Sequence, residues 1–407
     1  MRIEEIKKLL KEKGQEQLLK YYDELDEVQR AELFDDISRI NFSVIDCINK
    51  RDADKNLKEI APIPARSLDE IRANREKYAS EGIKLLRDGK VAAVILAGGQ
   101  GTRLGFDKPK GMFNIGVSRK LSIFGQLMNN IKDVTETYGG YFHLFVMTSE
   151  INNDETVAFF KENNYFGYPA EKIHFYIQNK EPVCGRDGKI LLSEKHRVAF
   201  SPNGNGGWYS SLVSNGLSSV LEKEGIEWLN VFAVDNVLQR ICDPVFIGAT
   251  SIEGSSCGAK VVSKTCPEER VGVLCSLNGK PDIIEYYELP EEIASKKDKD
   301  GNLAYPYGVI LNYLFSVRVL NKILSEKLPY HIAEKKVAHI VDGKLVQPSE
   351  PNAYKFETLA VDMVRLMGTC LAFEVEREKE FAPVKNATGV DSVESARELL
   401  LKNGIKL

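Results

Sequence analysis

The sequence predicts an α/β protein with a mixed, mainly parallel sheet. Apolar β-branched segments alternate with helical segments over residues 91–236, as expected where helices connect parallel strands. The segment Val91–Leu96 is aliphatic throughout, which is typical of a strand covered on both faces. A loop with Gly98, Gly99 and Gly101 follows at once, and glycine lets the backbone approach a ligand closely.

The remaining elements are predicted from changes in hydrophobic period. Apolar residues at Ile6, Leu9 and Leu10 recur at helical spacing, so residues 1 to about 60 read as helices. Prolines at 62 and 64 make residues 61–64 a stiff, extended connector. The segments that follow are a helix over 67–88, the strand over 91–96, a strand over 143–149, a helix over 154–164, a strand over 172–178, a helix over 209–224 and a strand over 228–236.

The hydrophobic pattern of the sequence changes after residue 256. Short apolar segments at 257–264, 272–279 and 281–289 are separated by turns, and they predict an antiparallel flap beside the main sheet. The charged stretch 295–302 predicts a solvated hairpin tip.

Length and composition limit the class of protein. A chain of 407 residues is expected to form more than one domain, and we predict a helical N-terminal unit (1–66), a catalytic domain (67–380) and a short C-terminal segment (381–407). No run of about 18 apolar residues occurs, and the first residues form a charged amphipathic helix, so we expect a soluble, cytoplasmic protein without a membrane partner.

Charge and cysteine content narrow the partners further. The net charge of −4 gives no general basic field for nucleic acid, so an anionic substrate must be held by local cations. The seven cysteines are odd in number and include no C-x-x-C pair, which predicts reduced thiols with neither zinc nor a disulfide framework. The five histidines show no metal-binding spacing.

The glycine loop predicts a phosphate site. Successive backbone N–H groups can point at phosphate oxygens, and Arg103 and Lys110 add positive charge nearby. A Walker loop is disfavoured because the only nearby Lys-Gly, at Lys110, is in reverse order and follows a proline. A dinucleotide fingerprint is a weaker alternative, since its third glycine is displaced to Gly105 and Arg119 stands near the acidic position.

Two further patterns are compatible with a ligand. In SPNGNGGWY, Gly204 permits close approach and Asn205 offers both a donor and an acceptor, although an exposed hairpin turn would use the same residues. Asp235 follows an apolar strand, where a carboxylate faces the ligand crevice of an open α/β sheet, or else caps a helix. Mg²⁺ is commonly held by one or two carboxylates plus substrate phosphates, and Asp235 suits that role.

The segments LAGGQGTRLG (96–105) and PKGM (109–112) resemble the sugar nucleotidyltransferase signature, and most closely that of eukaryotic-type UDP-N-acetylhexosamine pyrophosphorylases. The similarity runs in patches from about residue 60 to about residue 388. It implies a Rossmann-like, GT-A-like nucleotidyltransferase fold and synthesis of UDP-N-acetylglucosamine and pyrophosphate from UTP and N-acetylglucosamine 1-phosphate. Mg²⁺ is the implied cofactor.

The resemblance also assigns roles to single residues at matching positions. The implied catalytic cations are Arg103 for the departing pyrophosphate, Lys110 for the α-phosphate and Lys385 for the sugar phosphate, and Asp235 is the implied metal ligand. The implied substrate contacts are Leu96, Ala97, Gly98 and Gly99 for the nucleotide, Gln178 and Gly204 for uracil, Asn205, Glu285, Tyr286 and Asn312 for the sugar, and Lys355 for the nucleotide phosphates.

The chemistry that these residues imply is in-line attack of the sugar phosphate on the α-phosphorus of UTP. A sugar phosphate is already ionised at neutral pH, so the protein needs no general base and contributes position and charge neutralisation. A UDP-glucose or broad UDP-sugar pyrophosphorylase is the first alternative. A non-catalytic sugar-nucleotide sensor is the second, although Arg103, Lys110, Asp235 and Lys385 together argue against it.

Two departures from the family pattern affect these expectations. Leu359 and Val361 stand where better-known relatives carry aromatic residues beside the N-acetyl group, which leaves the sugar preference open. The chain ends about 20 residues after Lys385, whereas relatives have a longer C-terminal domain, and we expect a monomer.

Overall fold

The computed structural model describes residues 3–48 and 59–407. These residues form two compact units that are discontinuous in sequence. Within the described residues, unit 1 comprises 3–48, 179–207 and 327–360, and unit 2 comprises 59–178, 208–326 and 361–407. The contiguous domain boundaries given above stay a prediction, and the part of the N-terminal helical prediction that falls on 49–58 lies outside the described residues.

The helices and strands are numbered here in chain order. The α-helices are α1 Ile3–Lys13, α2 Glu27–Ser38, α3 Ile45–Ile48, α4 Leu68–Ala73, α5 Arg75–Arg87, α6 Ile123–Tyr138, α7 Asn153–Glu162, α8 Trp208–Ser214, α9 Ser218–Glu224, α10 Pro244–Ile252, α11 Glu291–Ala294, α12 Val317–Ile323, α13 Met363–Met367, α14 Arg377–Glu380 and α15 Val393–Lys402. The strands are β1 Ile60–Pro62, β2 Ala65–Arg66, β3 Val91–Leu96, β4 Leu144–Thr148, β5 Ile173–Ile177, β6 Lys180–Pro182, β7 Cys184–Gly185, β8 Leu192–Glu194, β9 Arg197–Val198, β10 Phe200–Pro202, β11 Trp228–Ala233, β12 Cys257–Ser263, β13 Val273–Leu277, β14 Lys280–Ile284, β15 Tyr307–Ser316, β16 His331–Lys335, β17 His339–Val341, β18 Lys344–Val346, β19 Ala353–Glu357 and β20 Cys370–Glu374.

Unit 2 is built on an eleven-stranded mixed sheet whose main path runs β2-β20-β12-β15-β11-β3-β4-β5. Neighbours on this path are parallel except where β15 pairs antiparallel with both β12 and β11. The hairpin β13–β14 joins β15 through Val273 and Gly308, and β1 pairs with β13. The α/β class with a mainly parallel sheet is therefore confirmed.

The core of unit 2 follows from the sequence pattern of its elements. All six residues of β3 are buried, as its uninterrupted aliphatic sequence predicts. The helix α6 is amphipathic and buries residues such as Leu127 and Ile131 in the same cluster, and Ser122 caps its first turn by accepting from the Gly125 N–H. Helix formation and burial of the apolar stripe are thus specified together.

Unit 1 combines the N-terminal helices with short strands. Ile6, Leu10 and Leu33 share a buried cluster with Ile190 and Phe356, which come from distant parts of the chain. The predicted N-terminal helices are present within residues 3–48, and they bury their apolar faces against these strands.

Three expectations about single elements were wrong. The helix predicted over 67–88 is two helices, because Asn74 leaves the helical region (φ −109°, ψ 10°), and its side chain donates to the Glu70 carbonyl beside its own N–H. The helix over 209–224 is broken near Gly216, which has φ +76°. The strand β12 is not part of an antiparallel flap, because it lies in the main sheet between β20 and β15.

The helices α5 and α10 pack so closely that glycine is required on both. A Cβ atom at Gly82 would lie 1.8 Å from the Pro244 carbonyl oxygen, and one at Gly248 would lie 1.8 Å from the Tyr78 carbonyl oxygen. Both obstacles are backbone atoms, which cannot rotate away, so these two glycines set the distance between the helices.

We expect Gly82→Ala to lower the free energy of unfolding by about 3 kcal/mol, at the upper end of the usual cost of overpacking. Chemical denaturation measures the change. The matched control is Ser80→Ala, at an exposed position of α5, which should change stability by less than about 0.5 kcal/mol. Equal stability of the two variants would contradict the helix contact described here.

A pair of stacked histidines makes the stability of unit 2 depend on pH. The ring nitrogens His143 Nδ1 and His174 Nε2 lie 2.8 Å apart, and Lys172 Nζ lies 2.9 Å from His143 Nε2. Burial, followed by the positive charge of neighbouring groups, lowers the pKa of His174 to about 4, and burial also lowers the pKa of His143.

The folded pKa of each histidine lies below the unfolded value of about 6.5. The neutral histidine pair therefore contributes to the free energy of unfolding above pH 6.5, and this contribution is lost as the pH falls towards 4. We expect the loss to reach about 1.4 kcal/mol per pH unit for each such histidine. His174→Phe keeps the ring that stacks on Phe145, and it should flatten the fall in denaturation midpoint between pH 6.5 and 4. An unchanged pH profile in this variant would rule out the histidine pair as its cause.

Candidate active site

Strand register brings the site of unit 2 to one edge of the sheet. Leu96 at the end of β3 pairs with Ala233 of β11 and with Met147 of β4, and Thr148 pairs with Ile177 of β5. These strands are parallel, so their carboxyl ends are aligned. The glycine loop, Gln178 and the segment that contains Asp235 therefore begin at the same edge, where open α/β sheets bind ligands.

The glycine loop turns back on itself. The Gly101 N–H donates to the Lys108 carbonyl at 2.9 Å and the Lys110 N–H donates to the Gly99 carbonyl at 3.1 Å, so Lys110 returns to the start of the loop. A Cβ atom at Gly98 would lie 2.8 Å from Gln178 Nε2, so the loop packs directly on the Gln178 amide. A larger residue at this position would displace the Gln178 amide.

Several polar groups of the loop face no protein partner. Among the described residues, the N–H groups of Gly98 and Gly99 find no acceptor, and Arg103 is exposed with no hydrogen bond or ion pair. Leu96 and Ala97 are buried at the base of the loop, where the Leu96 carbonyl accepts from the Val234 N–H at 3.3 Å and the Ala97 N–H donates to the Met147 carbonyl at 2.8 Å. Unpaired amides beside a cation are the arrangement that binds phosphate oxygens.

Asn152 supports this loop and was missed by the sequence analysis. Its side chain is fully buried, donates to the carbonyls of Ala97 (3.0 Å) and Gly99 (3.4 Å), and accepts from the Ser149 N–H at 2.7 Å. No local sequence pattern marks this support, because the two loop carbonyls lie 55 and 53 residues earlier in the chain.

The structure joins Lys110 and Asp235 as an ion pair. Lys110 Nζ lies 3.3 Å from Asp235 Oδ2, and the two side chains are 16% and 24% exposed. Within the described part of the chain, the second oxygen, Oδ1, accepts no hydrogen bond. The site therefore places a cation and a carboxylate together at the sheet edge, with one carboxylate oxygen still available.

Lys385 is brought to the same place by backbone pairing. The Val384 N–H donates to the Asp235 carbonyl at 2.9 Å, so Lys385 directly follows a residue bonded to the predicted metal ligand. Its ammonium lies 3.0 Å from Asp391 Oδ2, with 35% of the Lys385 side chain exposed. Asp391 was not identified from sequence.

Two of the predicted sugar contacts lie just beyond β14. The strand ends at Ile284, earlier than predicted, and Glu285 begins a turn in which its carbonyl accepts from the N–H groups of Glu288 and Leu289. Tyr286 is 43% exposed and packs edge-to-face on Tyr287. Both residues are accessible to a ligand.

Asn312 is a satisfied buried amide. It is fully buried in β15, where Nδ2 donates to Gln239 Oε1 at 3.2 Å and Oδ1 accepts from Asn230 Nδ2 at 2.8 Å. The sugar contact that the family resemblance implies stays a prediction.

Unit 1 contains three of the predicted site residues. Gly204 has φ +82°, and a Cβ there would lie 2.3 Å from the Thr358 carbonyl oxygen, so glycine is required. Asn205 Oδ1 accepts from the Ala360 N–H at 2.9 Å. Lys355 lies in β19 with a half-exposed side chain that has no hydrogen-bond or ion-pair partner among the described residues, so it is available for an anion.

Other features of the structure limit the possible chemistry. Among residues 3–48 and 59–407, no three His, Cys, Asp or Glu side chains are grouped as a metal site, and no helix is long and apolar enough to cross a membrane. All seven cysteines are free thiols. Unit 2 also has cavities of about 590 and 760 Å³, whose linings include none of the predicted site residues.

The parallel sheet, with its glycine loop, cations and carboxylate at one edge, defines an α/β protein of the nucleotidyltransferase type. The family model for UTP–glucose-1-phosphate uridylyltransferase matches residues 42–403. UDP-N-acetylhexosamine pyrophosphorylase-like protein 1 of Homo sapiens is 36% identical over 98% of this chain and 84% of its own length. UDP-N-acetylglucosamine pyrophosphorylase of Saccharomyces cerevisiae is 35% identical over 98% of this chain and 89% of its own.

A solved structure is similar over nearly the whole chain. The crystal structure of the uridine diphosphate N-acetylglucosamine pyrophosphorylase from Trypanosoma brucei has a TM-score of 0.81 and 29% identity, covering 97% of this chain and 83% of that one. The chain therefore belongs to the UTP–glucose-1-phosphate uridylyltransferase family, among the relatives named UDP-N-acetylhexosamine and UDP-N-acetylglucosamine pyrophosphorylases.

Proposed function

We propose that this protein transfers a uridylyl group from UTP to N-acetylglucosamine 1-phosphate, which forms UDP-N-acetylglucosamine and pyrophosphate. The observation that carries the proposal is the Lys110–Asp235 pair beside a glycine loop with unpaired amides. The names of the relatives support the choice of substrates.

The residues of this chain can perform the transfer without a general base. An oxygen of the ionised sugar phosphate forms a bond to the α-phosphorus of UTP as the bond from that phosphorus to the pyrophosphate oxygen breaks. The difficulty is the crowding of anions, so oriented cations are the main source of acceleration. Lys385 would hold the attacking phosphate, Lys110 the α-phosphate and Arg103 the departing pyrophosphate.

Mg²⁺ is the cofactor that we propose for this site. The donor set fits it: Asp235 has one carboxylate oxygen without a partner, and Mg²⁺ generally needs only one or two carboxylates beside phosphates and water. When bound, Mg²⁺ would supply charge neutralisation for the phosphates. Lys110 already lies against Asp235 and can balance the charge of this carboxylate.

The sugar specificity rests on residues near the carboxyl end of β19. Leu359 is half-buried in unit 1 and Val361 is buried in unit 2, and both are smaller than the aromatic residues expected at these positions. The aliphatic residues at these two positions also make a UDP-glucose pyrophosphorylase the second candidate, which the name of the family model would suit. We favour the N-acetylated sugar because the relatives of 35–36% identity carry that name.

We further propose that the enzyme acts in the cytoplasm as a monomer. Seven free thiols suit a reducing compartment. Gel filtration of the full chain tests the oligomeric state.

We expect Lys110→Ala to lower kcat for UDP-N-acetylglucosamine formation by about 10²-fold, comparable to removing one oriented electrostatic donor from an active site. Steady-state assay of pyrophosphate release measures the effect. Lys108→Ala is the matched control, since Lys108 lies in the same loop but is exposed, and it should retain near-normal turnover. Near-normal turnover of Lys110→Ala would contradict the assigned role.

A panel of sugar 1-phosphates tests the substrate itself. With UTP and Mg²⁺, we expect kcat/KM to be highest for N-acetylglucosamine 1-phosphate and next highest for N-acetylgalactosamine 1-phosphate. The value for glucose 1-phosphate should lie well below both. Equal kcat/KM values for glucose 1-phosphate and N-acetylglucosamine 1-phosphate would replace the first candidate by the second. Binding of UDP-N-acetylglucosamine without any pyrophosphate exchange would instead indicate a sensor.

A further inference from the structure

Two short segments of unit 2 carry the residues proposed for the metal and for the attacking phosphate. We call residues 234–243 the metal loop, because it contains Asp235, and residues 380–385 the lysine segment, because it ends at Lys385. They pair through the Val384 N–H to the Asp235 carbonyl (2.9 Å) and the Val237 N–H to the Ala382 carbonyl (3.2 Å). The separation of Asp235 and Lys385 therefore depends on how these segments are held together.

Asn236 fastens the two segments with its side chain. Its Nδ2 donates to the Glu380 carbonyl at 2.7 Å, and its Oδ1 accepts from the Ala382 N–H at 2.9 Å. The residue is only 1% exposed, although it is the immediate neighbour of Asp235. Both ends of its amide are thus committed to the lysine segment, and none of it is available to a substrate.

A buried lysine anchors the same junction from the sheet. Lys260 on β12 is fully buried, and its ammonium lies 2.5 Å from Glu380 Oε2, 3.0 Å from the Arg240 carbonyl oxygen and 3.4 Å from Asp243 Oδ2. Glu380 begins the lysine segment, and Arg240 and Asp243 close the metal loop. An ion pair removed from water resists separation, because an unpaired buried charge is costly.

We propose that Asn236 is a positioning residue that sets the separation of Asp235 and Lys385, with the Lys260–Glu380 pair as its anchor. The inference rests on the roles proposed above for Asp235 and Lys385. In-line transfer requires the attacking phosphate and the α-phosphate to be held at a fixed separation, and an error of about 1 Å can cost about 10²-fold in rate.

The positioning effect of Asn236 can be separated from nucleotide binding, because the side-chain amide of Asn236 bonds to the lysine segment rather than to the glycine loop. The glycine loop is held by Asn152 and by its own backbone bonds rather than by Asn236. We therefore expect Asn236→Ala to lower kcat by about 10²-fold while changing KM for UTP by less than about threefold. KM for the sugar phosphate should rise, because Lys385 is displaced.

The test is a double-mutant cycle on the full chain with UTP, N-acetylglucosamine 1-phosphate and Mg²⁺. Asn236→Ala, Lys385→Ala and the double variant are compared by kcat per folded molecule. If Asn236 acts through Lys385, the double variant should have nearly the kcat of Lys385→Ala, since groups that act as a unit are not additive. Multiplicative losses would overturn the inference, and so would a normal kcat for Asn236→Ala.

Asn41→Ala in unit 1 is the matched control for loss of an amide with both ends bonded. Asn41 donates to Tyr330 and accepts from the Ser43 N–H, so its loss should lower thermal stability and leave kcat unchanged. If Asn236→Ala lowers stability alone, as this control does, the role is structural and the inference fails.

A second variant covers the case in which Asn236→Ala does not fold. Glu380→Gln keeps the carbonyl that Asn236 binds and the volume of the side chain, but it weakens the anchor. We expect a loss of kcat of about tenfold that disappears in the Lys385→Ala background; a loss that persists there would overturn the inference. The unaltered protein distinguishes failure of the proposed function from failure of this inference. If the proposed function is wrong, the unaltered protein itself gives no UTP-dependent transfer.

Discussion

The alignment of β3, β4, β5 and β11 is the constraint on which the site depends. Their parallel register places four carboxyl ends at one edge, so the residues that follow each strand lie together at that edge. A shift by one residue along β11 would exchange the side chains on its two buried faces as well as moving Asp235. The core therefore enforces the position of the site, and burial of apolar side chains keeps the chemical groups in place.

Electrostatics explains how a chain of net charge −4 can hold a polyanion. Lys110 and Lys385 each lie against a carboxylate, at 3.3 and 3.0 Å, whereas Arg103 and Lys355 have no partner among the described residues. The Lys385–Asp391 pair is about one-third exposed, so it is weak and its lysine can be transferred to a phosphate at small cost. Local cations, rather than the overall field, provide the attraction.

The buried region behind Asp235 and Lys385 contains charged side chains that stability alone does not require. A buried lysine with two carboxylates is no more stable than a well-packed apolar group of equal volume. Lys260 instead joins the sheet to the ends of both segments that carry Asp235 and Lys385. Such a network gives a unique arrangement of the backbone, and this is what a transfer reaction between two anions needs.

The local sequence pattern alone determined where several strands and the glycine loop lie. Aliphatic runs gave β3, β4, β5 and β11, and glycines beside Arg103 and Lys110 predicted a phosphate loop, because strand period and glycine conformation are properties of neighbouring residues. Only the tertiary structure decided the place of β12 in the main sheet, the burial of Asn312 and the contacts of Asn152 and Asn236. Each of these depends on partners that reach the residue only after folding, and a hydrogen bond across such separations leaves no periodic trace in the chain.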